Sequence, residues 1–198
     1  MKLIAICILY KGGPKVQTLK SAYDLSSFGY FQKSSAQEFM KFTSQIVVER
    51  TQEGLRQSVK EKDYMCHVYV RRDSLSGVAI CDHEYPSRVA FTFINKLLEQ
   101  FATEVSSATW PSLPEDGAKF PTVNEYLAKY QDPKNADAMM RLQADLDETK
   151  IIMHGTIESM LERGEKLDDL VEKSDALSFQ SRSFYKTAKK TNSCCVIQ

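Results

Sequence analysis

The sequence has little of several things, and each shortage excludes a class of protein. Only eight glycines and six prolines occur among 198 residues, too few for a collagen-like chain or a flexible linker. The five cysteines do not form the dense framework of a small secreted disulfide domain, so we expect a reducing compartment. The longest apolar stretch, Leu3 to Tyr10, is far below the roughly 18 residues of a membrane-spanning helix.

Charge and motifs argue against nucleic-acid binding and against catalysis. The 26 basic residues are balanced by 26 acidic ones, so the basic excess of a nucleic-acid-binding protein is lacking. The sequence has no GxxxxGK[ST] loop, no GxGxxG turn after a strand and no GxSxG elbow. Its Cys/His clusters, Cys66-His67 and Cys81-Asp82-His83, lack the spacing of a zinc site. We therefore expect no enzyme, catalytic residue, cofactor, metal or nucleic-acid partner.

The chain changes character near Gln131-Asp132-Pro133, with most aromatic residues before this point and a charged, helix-forming composition after it. The first part predicts the order ββαβββαα, typical of an antiparallel sheet flanked by helices. Its clearest elements are strands at Leu3 to Tyr10, Val16 to Tyr23, Tyr64 to Arg71 and Gly77 to Cys81, and helices at Ser35 to Thr51, Ser87 to Thr103 and Thr122 to Tyr130. Capping patterns at Ser35-Ala36-Gln37-Glu38 and Thr122-Val123-Asn124-Glu125 are expected to open two of these helices.

The second part carries a heptad seam, in which apolar or small residues recur at steps of three and four. The seam positions are Met139, Leu142, Leu146, Thr149, Met153, Thr156, Met160, Leu167, Leu170, Ser174, Leu177, Ser181, Phe184 and Ala188. A continuous helix of 50 residues would be about 75 Å long, so this segment must find partner helices or break. Gly155 and Gly164 each destabilise a helix here by roughly 1 kcal/mol relative to Ala. This predicts a segment that becomes helical only when it folds on its partners.

One seam position is charged, because Arg163 stands where an apolar residue is expected. A buried Arg is costly unless partner helices supply acceptors, in which case it fixes the register and the number of helices. The alternative is a tolerated surface substitution.

The last residues match a lipidation signal. Cys195-Val196-Ile197-Gln198 is a C-a-a-X box whose terminal Gln favours farnesyl on Cys195. One prenyl chain anchors a protein only marginally, so Cys194 is expected to carry palmitoyl or a second lipid. An acid-free basic stretch with Arg182, Lys186, Lys189 and Lys190 precedes the box. These cations either attract anionic lipid or only solvate the end of a helix.

These residues resemble a known family. The run from Leu161 to Leu170, LERGEKLDDL, is similar to the centre of the synaptobrevin-type R-SNARE motif with Arg163 at the ionic layer, and the strand and helix order of the first part is similar to a longin domain. With the lipid box in place of a membrane-spanning helix, the chain resembles the prenylated longin-domain R-SNAREs. The resemblance implies an α+β fold: a profilin-like longin domain (1–130) with a five-stranded antiparallel sheet, a linker (131–137), an R-SNARE coiled coil (138–191) and a lipidation tail (192–198).

The same resemblance implies vesicle docking and membrane fusion. Arg163 would meet glutamines of three Q-SNARE helices, syntaxin-like and SNAP-like, in a parallel four-helix bundle. The protein would move between the cytosol and the cytoplasmic face of Golgi, vesicle, endosomal and related membranes. A prenylated small GTPase is excluded because the phosphate-binding loop is missing. A membrane-anchored structural coiled coil or adaptor remains the alternative, although it would not need a charge in its seam.

Autoinhibition follows from exposed apolar surface. A lipid and unpaired seam residues need a cover in the cytosol. On the first predicted helix the face toward the sheet consists of Ala36, Phe39, Met40, Thr43 and Val47. Phe42 and Ile46 project beside that face, and with Val59 they are predicted to form a groove for the folded-back SNARE segment and the lipid. Alternatively, Phe42 packs beneath a strand of its own domain. Phosphorylation of Ser174 or Ser181 in the seam would oppose such packing.

Overall fold

The computed structural model describes residues 2–61, 63–131 and 150–193. Its strands are β1 (Leu3–Tyr10), β2 (Gln17–Tyr23), β3 (Arg56–Glu61), β4 (Tyr64–Val70), β5 (Leu75–Asp82) and β6 (Ile151–His154). Its helices are α1 (Lys33–Glu49), α2 (Ser87–Glu104), α3 (Thr122–Lys129), α4 (Leu167–Lys173) and α5 (Phe179–Ser193). No helix within these described ranges is long and apolar enough to cross a membrane.

One sheet organises the described part of the chain, with its six strands in the order β2-β1-β5-β4-β3-β6. The five strands from the first part pair in antiparallel fashion, which confirms the predicted sheet. The sixth comes from the second part of the chain and pairs in parallel with β3, from Arg56 opposite Ile151 to Val59 opposite His154. Strand β1, second from the edge of the sheet, is buried from Leu3 to Leu9, because both faces of the sheet are covered.

The two faces of the sheet carry separate cores. On one face α2 and α3 pack with Phe93, Phe101, Phe120 and Tyr130, all at most 1% exposed. Gly77 lets α2 approach β5 closely, since a Cβ at this position would lie 2.7 Å from Ile94 Cγ2. On the other face α1 packs together with the second part of the chain.

Both predicted capping patterns are wrong. Helix α1 begins at Lys33, with Gln32 at the N-cap and no side-chain cap, so Ser35 lies inside the helix and is buried. Helix α3 begins after Pro121, again without a side-chain cap. The preceding 3-10 turn at Tyr30–Gln32 leads directly into α1, which removes the need for a Ser cap.

The second part does not form one continuous helix in this conformation. Its described residues run through β6, a 3-10 turn at Ile157–Met160, the short α4 and the longer α5. Gly164 adopts a left-handed φ of 92° in the turn before α4. The chain therefore turns at the glycine where the sequence predicts a weak point in the helix. The segment packs on the sheet and α1 of its own chain.

Candidate functional site

The candidate site is the surface that α1, β3 and β4 present to the second part of the chain. Phe42 and Ile46 of α1 are each 6% exposed, and Val59 of β3 is fully buried. They share one apolar cluster with four anchors from the second part, which we call the clamp residues: Ile157, Leu167, Val171 and Leu177. None of the four is more than 6% exposed. The structure thus buries the three predicted groove residues and this SNARE-like sequence in one apolar cluster, together with strand residues of the longin domain.

On this surface, the orientation of one aromatic residue, Phe39, differs from the prediction. The sequence predicts that Phe39 faces the sheet with Ala36, Met40, Thr43 and Val47, and these four are buried. Instead Phe39 stacks on Tyr185 of α5, with ring centroids 5.3 Å apart and an interplanar angle of 21°. Helix α1 is therefore turned so that Phe39 contacts the second part of the chain.

Backbone pairing holds the start of the bound segment. β6 extends the sheet beyond β3, so β3 is hydrogen-bonded to β4 along one edge and to β6 along the other. Next to it, the Glu61 carboxylate accepts the backbone N–H of Ile157 at 3.2 Å. Thr156, a predicted seam residue, accepts the Ser159 N–H and so caps the 3-10 turn.

Glu38 caps a helix other than its own. Its Oε2 accepts the Ser178 N–H at 2.9 Å and the Ser181 hydroxyl at 2.8 Å, at the start of α5. Partial burial opposes ionisation, but these hydrogen bonds hold the pKa of Glu38 below its ordinary value. A carboxylate at a helix N-terminus also meets the favourable end of the helix dipole. Glu38 therefore links α1 to α5 by charge as well as by packing.

Arg50, just after α1, binds two acidic residues of the turn that precedes α4. Its guanidinium lies 3.2 Å from Glu162 Oε1 and 2.9 Å from Glu165 Oε1. Glu165 also accepts the Glu162 N–H at 2.9 Å, which closes the turn. Arg163 lies between these two acids and is exposed. The residue predicted for the ionic layer is thus turned to solvent in this conformation.

The other predicted seam residues are spread over several environments. Leu167, Leu177 and Ser181 are buried, Met160 and Leu170 pack partly against the α1 cluster, and Met153 is 62% exposed. Ser174 ends α4, and its carbonyl accepts a hydrogen bond from Arg182. Met139, Leu142, Leu146, Thr149, Cys194 and Cys195 lie outside the described residues, as does the side chain of Ala188.

A second surface feature lies beside Glu38. An open hollow of about 360 Å³ separates the start of α1 from α5. Phe31, Phe179 and Phe184 line it, and Phe31 and Phe179 are more than 80% exposed. In the described ranges no cluster of His, Cys, Asp and Glu has the make-up of a metal site.

Sequence reasoning missed several residues that hold the bound segment. Ile157 and Val171 are apolar but lie beside the seam positions, so heptad counting passed over them. The sequence pattern predicts Glu38 only for the cap of its own helix. Arg50 gave no signal at all, because its acidic partners are more than 100 residues away in the sequence.

Comparisons with known proteins cover the whole chain. The family model for the longin, or regulated-SNARE-like, domain matches residues 25–127, and the synaptobrevin family model matches residues 138–198. The synaptobrevin homolog ykt6 of Schizosaccharomyces pombe is 54% identical over 200 residues, covering all of both chains. The synaptobrevin homologs YKT6 of Yarrowia lipolytica and Eremothecium gossypii are 50% and 51% identical, again over the full length of both chains.

Proposed function

The chain belongs to the synaptobrevin family of longin-domain R-SNAREs, and from this premise we propose that its longin domain holds the SNARE segment in a closed, inactive form. As an R-SNARE the protein acts in vesicle docking and membrane fusion, through complexes with Q-SNARE partners. Proteins of this family work in trafficking and not as enzymes, and we propose no catalytic residue or cofactor for this chain. The closed form is the part of the proposal that concerns regulation.

One observation carries the proposal: seam residues are buried against the longin domain. Leu167 and Leu177 occupy the α1 cluster, where they are 6% and 3% exposed. The same side chains would form layers of a four-helix bundle. A side chain cannot fill both cores, so closure and assembly exclude each other. Release of β6, α4 and α5 is then the first step of assembly.

We propose that the open segment pairs with three Q-SNARE helices, syntaxin-like and SNAP-like. Arg163 would occupy the ionic layer with three glutamine acceptors, while the remaining seam residues stack above and below it. Burial of these layers provides the driving force, and zippering toward Lys190 would draw two membranes together. The exposed position of Arg163 in the closed form costs nothing, because its charge stays in water.

The proposed anchor is a farnesyl group on Cys195 with palmitoyl or a second lipid on Cys194. Two lipids give long residence on a membrane, whereas one gives reversible binding. Phe42, Ile46 and Val59 are buried in one apolar cluster with the clamp residues, which leaves little exposed surface there for a lipid chain. We therefore propose the hollow at Phe31, Phe179 and Phe184 as the place where a lipid chain is shielded. Such a protein would move between the cytosol and the cytoplasmic face of Golgi, vesicle and endosomal membranes.

Val171→Asp tests the closed form. Val171 is 1% exposed in the closed protein, but it lies beside the seam positions Leu170 and Ser174, at the edge of the bundle core. An unpaired carboxylate here should destabilise closure by about 3 kcal/mol while leaving the bundle intact. We expect amide exchange in β6 and α4 to rise about 100-fold, and assembly with Q-SNARE fragments to accelerate.

Ala176→Asp is the matched control, because it adds the same charge at an exposed position five residues away. Exchange and assembly of this variant should stay close to those of the unaltered protein. If Val171→Asp behaved like Ala176→Asp in both measurements, the closed form would not be the inhibited state.

A further inference from the structure

Two cations of α5 are neutralised within the closed protein. Lys189 Nζ lies 2.5 Å from Asp168 Oδ2, and Lys186 Nζ lies 2.5 Å from Glu172 Oε1. The Tyr185 hydroxyl donates to Asp168 Oδ1 at 2.7 Å. Both acids belong to α4, which carries the clamp residues Leu167 and Val171. We call these two ion pairs the charge clasp.

The two lysines of the clasp have no acidic residue near them in the α5 sequence. No acidic residue occurs from 176 to 198, a stretch that contains Arg182, Lys186, Lys189 and Lys190. Arg182 is engaged elsewhere, since its guanidinium donates to the Ser174 carbonyl at 2.5 Å. The acids of α4 therefore supply the counter-charges for Lys186 and Lys189.

The positions of the acids place the clasp at the edge of the clamp. Asp168 and Glu172 are four residues apart and each follows a buried clamp residue by one position, so they flank the apolar face of α4. Lys186 and Lys189 are three residues apart on one side of α5. Hydrogen bonds from Lys189 and Tyr185 keep the pKa of Asp168 low, and the bond to Asp168 raises the pKa of Lys189.

We propose that Lys186 and Lys189 form a binding surface for anionic lipid, and that the α4 carboxylates occupy this surface in the closed protein. The side chains of all four residues are 47 to 61% exposed, so the pairs are weak and can exchange for other anions. A bilayer rich in acidic headgroups attracts a basic segment held near its surface. When the lysines bind lipid, the two ion pairs of the charge clasp are lost from beside the clamp residues. An anionic membrane therefore favours the open form.

This inference rests on the proposed closed form and on the proposed lipid anchor, which would bring α5 to the bilayer. The lysines at 186 and 189 precede the lipidation cysteines by five to nine residues. The partner is a lipid surface and not a free anion, because the proposed anchor at Cys194 and Cys195 would hold both lysines beside the charged headgroups.

The test uses the full-length lipidated protein with two kinds of vesicle, phosphatidylcholine alone and phosphatidylcholine with about one third phosphatidylserine. We expect the anionic vesicles to raise amide exchange in α4 and β6 about 10-fold relative to the neutral ones. The double variant D168N/E172Q should bind anionic vesicles about 10-fold more tightly and neutral vesicles unchanged. The control D169N/D175N removes the same charge from exposed positions and should shift binding by less than 2-fold.

Three results would overturn the inference. These are equal anionic-vesicle binding by the two double variants, no rise in α4 exchange on anionic vesicles, or an equal rise with inorganic phosphate at matched ionic strength. Val171→Asp separates this failure from failure of the closed form. If Val171→Asp opens the protein but anionic vesicles do not, only the lipid surface is wrong. If neither opens it, the closed form itself is wrong.

Discussion

At the scale of single residues, the Cys66-His67 pair shows how a strand separates neighbours. Adjacent side chains on a strand point to opposite faces. Cys66 lies in the α1 cluster, whereas His67 contacts Phe91 of α2 at a centroid distance of 5.4 Å. The two side chains therefore lie on opposite faces of the sheet, and each is part of a core.

His67 gives the first prediction at this scale. It is 1% exposed, its Nδ1 lies 2.7 Å from Ser58 Oγ, and burial lowers its pKa to about 4. Between pH 4 and 6.5, His67 is protonated in the unfolded chain but neutral in the folded protein. The free energy of unfolding therefore rises with pH in this window. The gain is about 3 kcal/mol over the full window. His67→Gln should flatten that part of the curve in chemical denaturation measured at pH 5, 6 and 7.

The contradicting outcome for His67 is a pH dependence that survives the substitution. Carboxylates also titrate below pH 5, so the comparison is the difference between the variant and the unaltered protein at each pH.

At the scale of elements, the start of α5 depends on a residue of another helix. Ser181 is buried and donates to Glu38, so a phosphate at Ser181 would place two negative groups together. Phosphorylation at Ser181 would thus be expected to weaken closure through repulsion by the Glu38 carboxylate. At Ser174, which ends α4, the side chain instead accepts the Ala176 N–H at 3.2 Å.

Glu38→Gln is expected to loosen α5 without unfolding the sheet. The loss of the charged cap should cost about 1 kcal/mol, which raises amide exchange in α5 about 5-fold. Because the pKa of Glu38 is lowered, its contribution to closure is present above its ordinary pKa of 4.5 and is lost as pH falls through the lower value. The variant should lack this loss. Glu49→Gln, on an exposed residue of the same helix, is the control, and equal exchange in the two variants would refute the capping role.

At the scale of the whole molecule, the proposal gives one segment two incompatible structures. In the closed protein it adds a parallel strand to the sheet and breaks at Gly164, and in the proposed bundle it is a long helix. The apolar area is buried in both, so the balance depends on small terms such as caps and ion pairs. A protein of this kind is switched by changes of a few kcal/mol.

Arg163→Leu separates the two structures. Arg163 is exposed in the closed form, so its replacement should leave exchange in β6, α4 and α5 within about 2-fold of the unaltered protein. In the bundle a leucine removes a buried charge, so assembly should persist or tighten while register fidelity is lost. Cross-linking of cysteine-tagged Q-SNARE helices reports the register. An unchanged register with Arg163→Leu would remove Arg163 from the ionic layer.

The sequence alone determined the elements that depend on local pattern. Alternation and turn residues are local properties, and they predicted four strands and three helices of the longin domain with ends within about two residues of those observed. They gave no bounds for β3, and the five-stranded sheet was implied by the longin resemblance. Phe42 and Ile46 were predicted as an apolar flank because helix spacing shows it, and their role as a groove with Val59 stays a prediction. The R-SNARE resemblance rested on contiguous residues around Arg163.

Only the tertiary structure decided what the second part of the chain does when no partner is bound. A heptad seam predicts a helix formed with partners, and it does not predict β6, whose pairing with β3 joins residues more than 90 positions apart. The cap at Glu38 and the pairs at Arg50 and Asp168 likewise depend on contacts across the fold. Burial against α1 makes the closed arrangement favourable, and burial is a property of the assembled surfaces and not of any one segment.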